Sequence, residues 1–265
     1  GVHWAFSPVL GLGIQPSWGR LYETFGEDPY LVSELGANLI KGLQGESGSN
    51  GGKFGHSKVA ACMKHFFGYS APVSGHDINP TWIPKSTLYS HFLKPFIAAT
   101  KAGVRTVMES YNQLNGKAVI ADPELMKDLL RNKMGFEGVM VTDYDEINKL
   151  WYQHNAIESE RAATATVMRD SSVDMNMLPD SPLFFDLMLE LYKEGHVTED
   201  RLDESVARIL TLKKDFDLLY EPSPVPEEII NPTVEDRHIA LDAARQSVVV
   251  VKNRNKVLPI VPEFP

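Results

Sequence analysis

The sequence is short of the residues that several whole classes of protein require. It has one cysteine, Cys62, in 265 residues, so neither an internal disulfide nor a multi-cysteine metal centre can be built from it. Cys62 lies in the apolar run Val59-Ala60-Ala61-Cys62-Met63. It reads as a small core residue and not a reactive thiol, since Lys64 is its one basic neighbour. Basic charge is also short: Lys and Arg total 26 against 35 Asp and Glu, for a net charge of −9. Both signs are mixed along the whole length, so no phosphate-binding face forms and no nucleic-acid partner is expected. There is no run of about 18 apolar residues to span a bilayer. The opening Gly1-Val2-His3-Trp4 has neither the basic head nor the apolar stretch of a signal peptide, and no membrane partner is expected. Gly11-Leu12-Gly13 lacks the further glycine and the acidic partner of a dinucleotide site. With no metal-ligand cluster and no phosphate loop in view, neither a metal nor a cofactor is expected.

Apolar residues make up 43% of the chain, enough to bury a substantial core. Short apolar runs alternate with longer segments of helical periodicity, the pattern of a parallel sheet wrapped by helices. The expected strands are Trp4 to Val9, Val59 to Phe66, Arg105 to Ser110, Gly138 to Thr142 and Val173 to Met177. Pro29 to Gln44 has helical spacing in Leu31, Leu35, Leu39, Ile40 and Leu43, ended by Gly45. Leu88 to Ala102, Pro123 to Lys133, Glu158 to Arg169 and Ser181 to Glu194 read the same way. Ser47 to Gly52 reads as a flexible loop, because so much serine and glycine buries little.

Five strands are too few for an eight-stranded barrel, so the expected fold is α/β, a partial (β/α)8 barrel with sequence missing on both sides. A strong helix from Asp203 to Leu219 is followed by Pro222, Pro224, Pro226 and Pro232, which predicts a linker. The β-branched run Val248 to Val251 then reads as the first strand of another domain. The expected organisation is therefore residues 1–219 as partial barrel, 220–240 as linker and 241–265 as the start of a second domain.

Three segments carry chemistry. In Gly138-Val139-Met140-Val141-Thr142-Asp143-Tyr144 a buried strand ends in a carboxylate, and the C-terminal strand ends of a parallel barrel face the active site. The competing reading makes Asp143 the cap of the following helix. Lys64-His65-Phe66 closes a second strand with two groups able to donate hydrogen bonds to the hydroxyls of a neutral polar ligand such as a sugar. Its competing reading is a buried histidine beside an outward-snorkelling lysine. In Trp18-Gly19-Arg20-Leu21-Tyr22-Glu23 a guanidinium can be fixed by a carboxylate while offering its remaining donors to a ligand. Glu27 and Asp28 before Pro29 suit a helix N-terminus, with Asp28 as N-cap.

These motifs occur in order with others: Phe6-Ser7-Pro8-Val9, Gly26-Glu27-Asp28-Pro29, Gly42-Leu43-Gln44-Gly45, Trp82-Ile83-Pro84, Asn115-Gly116, Gly135-Phe136-Glu137-Gly138 and Ala244-Arg245-Gln246-Ser247. Taken together the chain resembles glycoside hydrolase family 3, and within it the lysosomal-type or secreted β-glucosidases and exo-glucanases. The resemblance runs from Val2 to Pro259. It implies a barrel domain followed by an α/β sandwich domain, a retaining mechanism with Asp143 as nucleophile, and Arg20, Lys64 and His65 on the hydroxyls of the non-reducing-end sugar. Met108, Tyr111 and Tyr144 match positions lining the same subsite, where an aromatic packs on the sugar face; Met108 reads equally well as core. His76-Asp77 follows on the loop after Lys64-His65. The implied substrate is a carbohydrate, and the implied location is secreted or lysosomal/vacuolar. The acid/base is expected in the second domain, and the remainder of the same protein or a second copy are the expected protein partners.

The sequence also departs from the family pattern. Tyr144 stands where tryptophan is usual, and Gln15 before Pro16 where aspartate is usual. Glu109 stands in place of a small or amide residue, and Arg169-Asp170-Ser171-Ser172 in place of an Ala-Gly turn. Phe67-Gly68-Tyr69 in place of Pro-Gly-His-Gly disfavours the N-acetylglucosamine branch. Two other classes of function stand beside the enzyme: a non-catalytic relative kept for sugar binding or structure, and an interaction module that packs on a second chain.

Overall fold

The structure is a computed structural model that describes residues 2–55, 57–219 and 232–260. The chain divides into two units, Gly1–Ser223 and Pro224–Pro265.

The first unit is built on a five-stranded parallel sheet: β1 (Trp4–Ala5), β2 (Ala60–Phe66), β3 (Thr106–Glu109), β6 (Val139–Tyr144) and β7 (Met175–Met177), side by side in chain order. That order, with helices in the connections, is a partial (β/α) barrel. The interposed β4 (Gln113–Leu114) and β5 (Lys117–Ala118) form a small antiparallel hairpin. Its turn residues Asn115 and Gly116 both have positive φ, 53° and 87°, as a tight hairpin of right-handed twist requires.

Along each strand alternate residues face opposite ways, and the sheet has two buried faces. Met63, Val107 and Met140 join Leu10, Phe66, Phe96, Met126 and Ile147 in the large core under the helices. Cys62, Met108 and Val141 point to the inner face, packed with Trp4, Met175 and Met177. Cys62 is fully buried, and burial pushes its thiol up to about 12, as befits a core residue.

Helix α1 (Pro29–Ser49) begins with Asp28 accepting the Tyr30 amide at 2.8 Å and Pro29 in the first turn, where a proline forgoes no bond. It kinks at Gly45, φ 69°, and resumes. The expected loop from Ser47 is thus partly helical, because Gly48 leaves room for the Phe54 ring; a Cβ there would sit 2.9 Å from that ring. The next helix, α2, runs over 85–101 through a π turn at Leu88–Phe92. It is followed by α3 (Glu124–Lys133), α4 (Glu146–Tyr152), α5 (Glu160–Asp170), α6 (Leu183–Lys193) and α7 (Glu199–Asp215).

In the second unit α8 (Val234–Ser247) opens with a capping box, Thr233 and Asp236 bonding each other's amides. It takes in the end of the stretch expected as linker; the rest of that stretch, 220–231, lies outside the described residues. Val248 to Val251 is exposed and belongs to no strand, a correction to the sequence expectation. A β-branched run supplies a strand's side chains, but its hydrogen bonds need a neighbouring strand, and the described residues offer none.

Candidate active site

The C-terminal ends of β2, β3 and β6 bring a group of polar side chains together. Asp143 is the fifth residue of β6. Its Oδ1 accepts the Tyr144 amide at 2.7 Å, and its own amide donates to Glu109 Oε1 at 2.8 Å. The helix-cap reading of Asp143 is not realised: Asp145 precedes α4, in the left-handed region at φ 57°, a conformation Asp tolerates better than most residues. The Asp143 side chain is 13% exposed, and its Oδ2 is buried without a hydrogen-bond partner among the described residues.

His65 explains why. Its Nε2 lies 3.5 Å from Asp143 Oδ2 but 3.1 Å from an Arg20 NH2. A guanidinium only donates, so Nε2 accepts, carries no proton and cannot bond the carboxylate. Burial, reinforced by the Arg20 and Lys64 cations, holds the imidazole well below the usual histidine range and so neutral. Arg20 is clamped by both Glu23 oxygens at 2.8 and 3.0 Å. Burial disfavours its cation, yet the Glu23 bonds and charge more than offset that and raise its pKa. Lys64, half-buried, places its charge beside His65.

The aromatic wall is made by Trp18, Tyr69 and Tyr111. Asp77 Oδ1 accepts from both Trp18 Nε1 and Tyr69 Oη at 2.7 Å, and Tyr69 stacks edgewise on His65. The sequence reading used Tyr69 only to disfavour the N-acetylglucosamine branch and did not place it in the site, since nothing but its position after Lys64-His65 marks it. Tyr111 donates to the Tyr144 carbonyl at 3.1 Å, and one face of its ring is taken by the Lys149 ammonium, 4.4 Å from the centroid. Burial and then the Asp143 carboxylate raise its phenol. Tyr144 is exposed and donates to Asp180. Met108 is 2% exposed among Cys62 and Val141, in the layer beneath the polar group. Gln15 is tied to the Pro72 carbonyl and the Ser17 amide.

Behind Asp143 lie two carboxyls that sequence reading did not place in the site, Glu109 and Glu146, both fully buried. Among the described residues no group of three or more His, Cys, Asp and Glu side chains is arranged to hold a metal ion. A surface cleft lined by Ser49, Gly103, Arg105, Gly138 and Arg208 opens at the other end of the sheet, and no candidate residue lines it.

A buried, unpaired carboxylate oxygen beside clamped cationic and aromatic donors is chemically able to bind a polar, uncharged molecule and to attack it. Comparison with known proteins bears on which. Residues 1–212 match the model of the glycosyl hydrolase family 3 N terminal domain. The chain is 40% identical over 264 residues to a lysosomal beta glucosidase of Dictyostelium discoideum, covering 98% of this chain and 32% of that protein. With a periplasmic beta-glucosidase of Salmonella typhimurium it shares 32% identity over 267 residues, 98% of this chain and 34% of the relative. Among solved structures, a β-glucosidase from Listeria innocua in complex with glucose superposes with a TM-score of 0.88 at 32% identity, covering 98% of this chain and 35% of that one. A β-glucosidase of intestinal bacteria involved in saponin metabolism gives 0.91 at 34%, covering 98% and 34%. The chain thus spans about a third of the length of the relatives it matches. By fold, by motif and by the family model, the chain belongs to glycosyl hydrolase family 3.

Proposed function

We propose that this chain supplies the nucleophile and sugar-binding half of a retaining β-glycosidase that removes β-linked glucose, or a related sugar, from the non-reducing end of glucosides or oligosaccharides. The observation that carries this reading is the Asp143 Oδ2 atom. It is buried and unpartnered, with the nearest side-chain nitrogen held as an acceptor by Arg20. Such an oxygen is available to attack an anomeric carbon, and the covalent glycosyl-enzyme so formed is then hydrolysed. Arg20, Lys64 and His65 take the hydroxyls of the bound sugar. Tyr111 and Tyr144 border the same subsite, with Met108 supporting it from below.

A retaining mechanism also needs a proton donor about 5–5.5 Å from the nucleophile. Glu109 and Glu146 are closed off from solvent behind Asp143, so we assign the donor to the part of the protein by which its relatives exceed this chain. In the same reading residues 241–265 open the second, α/β sandwich domain. The names of the lysosomal and periplasmic relatives support a secreted or lysosomal/vacuolar location.

The native protein is expected to hydrolyse an aryl β-glucoside with retention of configuration, followed by NMR. Asp143→Gly should lower kcat at least about 10³-fold. Azide should restore part of the rate and give a glycosyl azide of inverted configuration. A glycine variant as active as the parent would contradict the assignment.

A further inference from the structure

The loop after β2, which carries Asp77, is tied to the segment before α1 that carries Arg20. Gln15 donates to the Pro72 carbonyl at 3.2 Å. Gly75, in the left-handed region at φ 79°, lies so close to Ser17 that a Cβ on it would stand 2.6 Å from the Ser17 Cβ. Beside these ties, Asp77 Oδ1 takes both polar hydrogens of the aromatic wall, the Trp18 indole N–H and the Tyr69 O–H, at 2.7 Å each. Asp77 lies at the surface, but both rings are only 2% exposed. Neither has another acceptor among the described residues, so without Asp77 two buried donors would be orphaned.

A carboxylate only accepts, so Asp77 sets the direction of the bonds that follow. Tyr69 must donate to it, which leaves the phenol oxygen to accept from Arg20 NH1, at 3.5 Å. Arg20 has five N–H donors. Nε goes to Glu23 Oε1, the pair on NH2 to Glu23 Oε2 and His65 Nε2, and one on NH1 to Tyr69. A single NH1 donor is left without a partner among the described residues. The Tyr69 ring also meets His65 edgewise, with centroids 5.2 Å apart, and the Arg20 guanidinium carbon lies 5.5 Å from its centroid. The backbone bears a further mark. Ile78, next after Asp77, has φ 58°, a conformation that a β-branched residue keeps only where its surroundings impose it. Its side chain packs against the Trp18, Tyr69 and Tyr111 cluster.

We propose that Asp77 is a positioning residue for ligand binding. By holding Trp18 and Tyr69 on one oxygen it fixes Tyr69 against Arg20 and His65, and so leaves one guanidinium N–H for the ligand. It acts through these side chains and does not touch the reacting atoms. The binding role rests on the reading of this pocket as the sugar site; the hydrogen-bond arrangement does not. Contacts to sugar hydroxyls made alike in the bound substrate and the transition state set affinity, so their loosening appears in KM and not in kcat.

The test uses variants of the native protein. Asp77→Ala should raise KM for an aryl β-glucoside about tenfold with kcat little changed. Asp77→Asn, whose amide oxygen still accepts from both rings, should recover most of that loss. Tyr69→Phe keeps the ring and loses only its bonds, and should raise KM by about threefold on its own. Added to a Trp18→Phe, Tyr69→Phe background, Asp77→Ala should cost less than about twofold, since no donor is left for it to hold. The Trp18 indole N–H resonance of isotope-labelled protein, identified by its absence in Trp18→Phe, gives a readout independent of turnover. It should move in Asp77→Ala and return towards the parent position in Asp77→Asn. An unchanged KM in Asp77→Ala or Tyr69→Phe, an equal loss in Asp77→Asn and Asp77→Ala, or full additivity in the double background would overturn the positioning role. An indole resonance unmoved in Asp77→Ala would overturn the hydrogen-bond arrangement. A parent that does not hydrolyse glucosides at all would sink the proposed function, and with it the binding role, but leave the indole resonance to decide the arrangement.

Discussion

Two buried carboxylate clusters sit at opposite ends of the same sheet, and they are built on opposite principles. Asp174, just before β7, is fully paired. One oxygen accepts from Arg131 at 3.0 Å and the Met140 amide at 2.9 Å, the other from Ser205 at 2.8 Å and Arg208 at 2.9 Å. Two guanidiniums thus serve one carboxylate, and burial still pushes Arg131 down to about 10. At the other end Asp143, Glu109 and Glu146 each keep an oxygen without a partner among the described residues. A satisfied buried charge is a fastener between elements, here joining α3, β6, β7 and α7. An unsatisfied one persists only where the fold holds it in place for chemistry.

The comparison can be broken at either end. Removing the hub of the satisfied cluster, Asp174→Ala, leaves the buried Arg131 guanidinium without its carboxylate and Arg208 with Glu204 alone, and should cost about 3–5 kcal/mol of stability. Chemical denaturation would show it, with kcat per folded molecule unchanged; a stable variant with altered kcat would erase the distinction. At the site, Glu23→Gln weakens the clamp on Arg20. It should raise KM by about tenfold, roughly 1.4 kcal/mol of binding, with little change in melting temperature.

The smallest expected effect is on pH dependence. A carboxyl whose folded pKa is raised binds more protons folded than unfolded, so its contribution favours folding at low pH. That contribution is lost as pH rises from the ordinary carboxylate range through the raised value. Burial raises the Glu146 carboxyl well above the carboxylate range, and Glu146→Gln removes this dependence. Relative to the parent, the variant should gain up to about 1.4 kcal/mol per pH unit across that window, read from denaturation midpoints at a series of pH values. A constant difference would mean that Glu146 is ionised throughout.

Much of the fold was legible because buried parallel strands are continuous apolar runs. Val139 to Thr142 and Ala60 to Met63 have no polar interruption, and both form strands where expected. Strand ends also pointed to Asp143, His65 and, through its loop, Arg20. What escaped were residues whose neighbours come from elsewhere in the chain. Glu146 and Lys149 fall in an ordinary charged segment, Asp145-Glu146-Ile147-Asn148-Lys149, that reads as the solvated face of a short helix. The packing of α4 against α5 and the end of β6 buries them. Glu109 was noticed as unusual, but its partner is a backbone amide on another strand, which no local pattern announces. The hairpin at Asn115-Gly116 did carry a signal, the dipeptide itself, but its strands of two residues each have no periodicity to read. Val248 to Val251 shows the converse: a strand-like composition without a partner to pair with among the described residues.

The assignment of Asp143 is open to a direct chemical test. The native protein would be incubated with a slow 2-fluoro glycoside, digested, and the sugar located by peptide mass spectrometry. The account predicts one label, on the peptide Val139–Tyr144 and on Asp143 within it. A label on Glu109, Glu146 or any other carboxylate would contradict it.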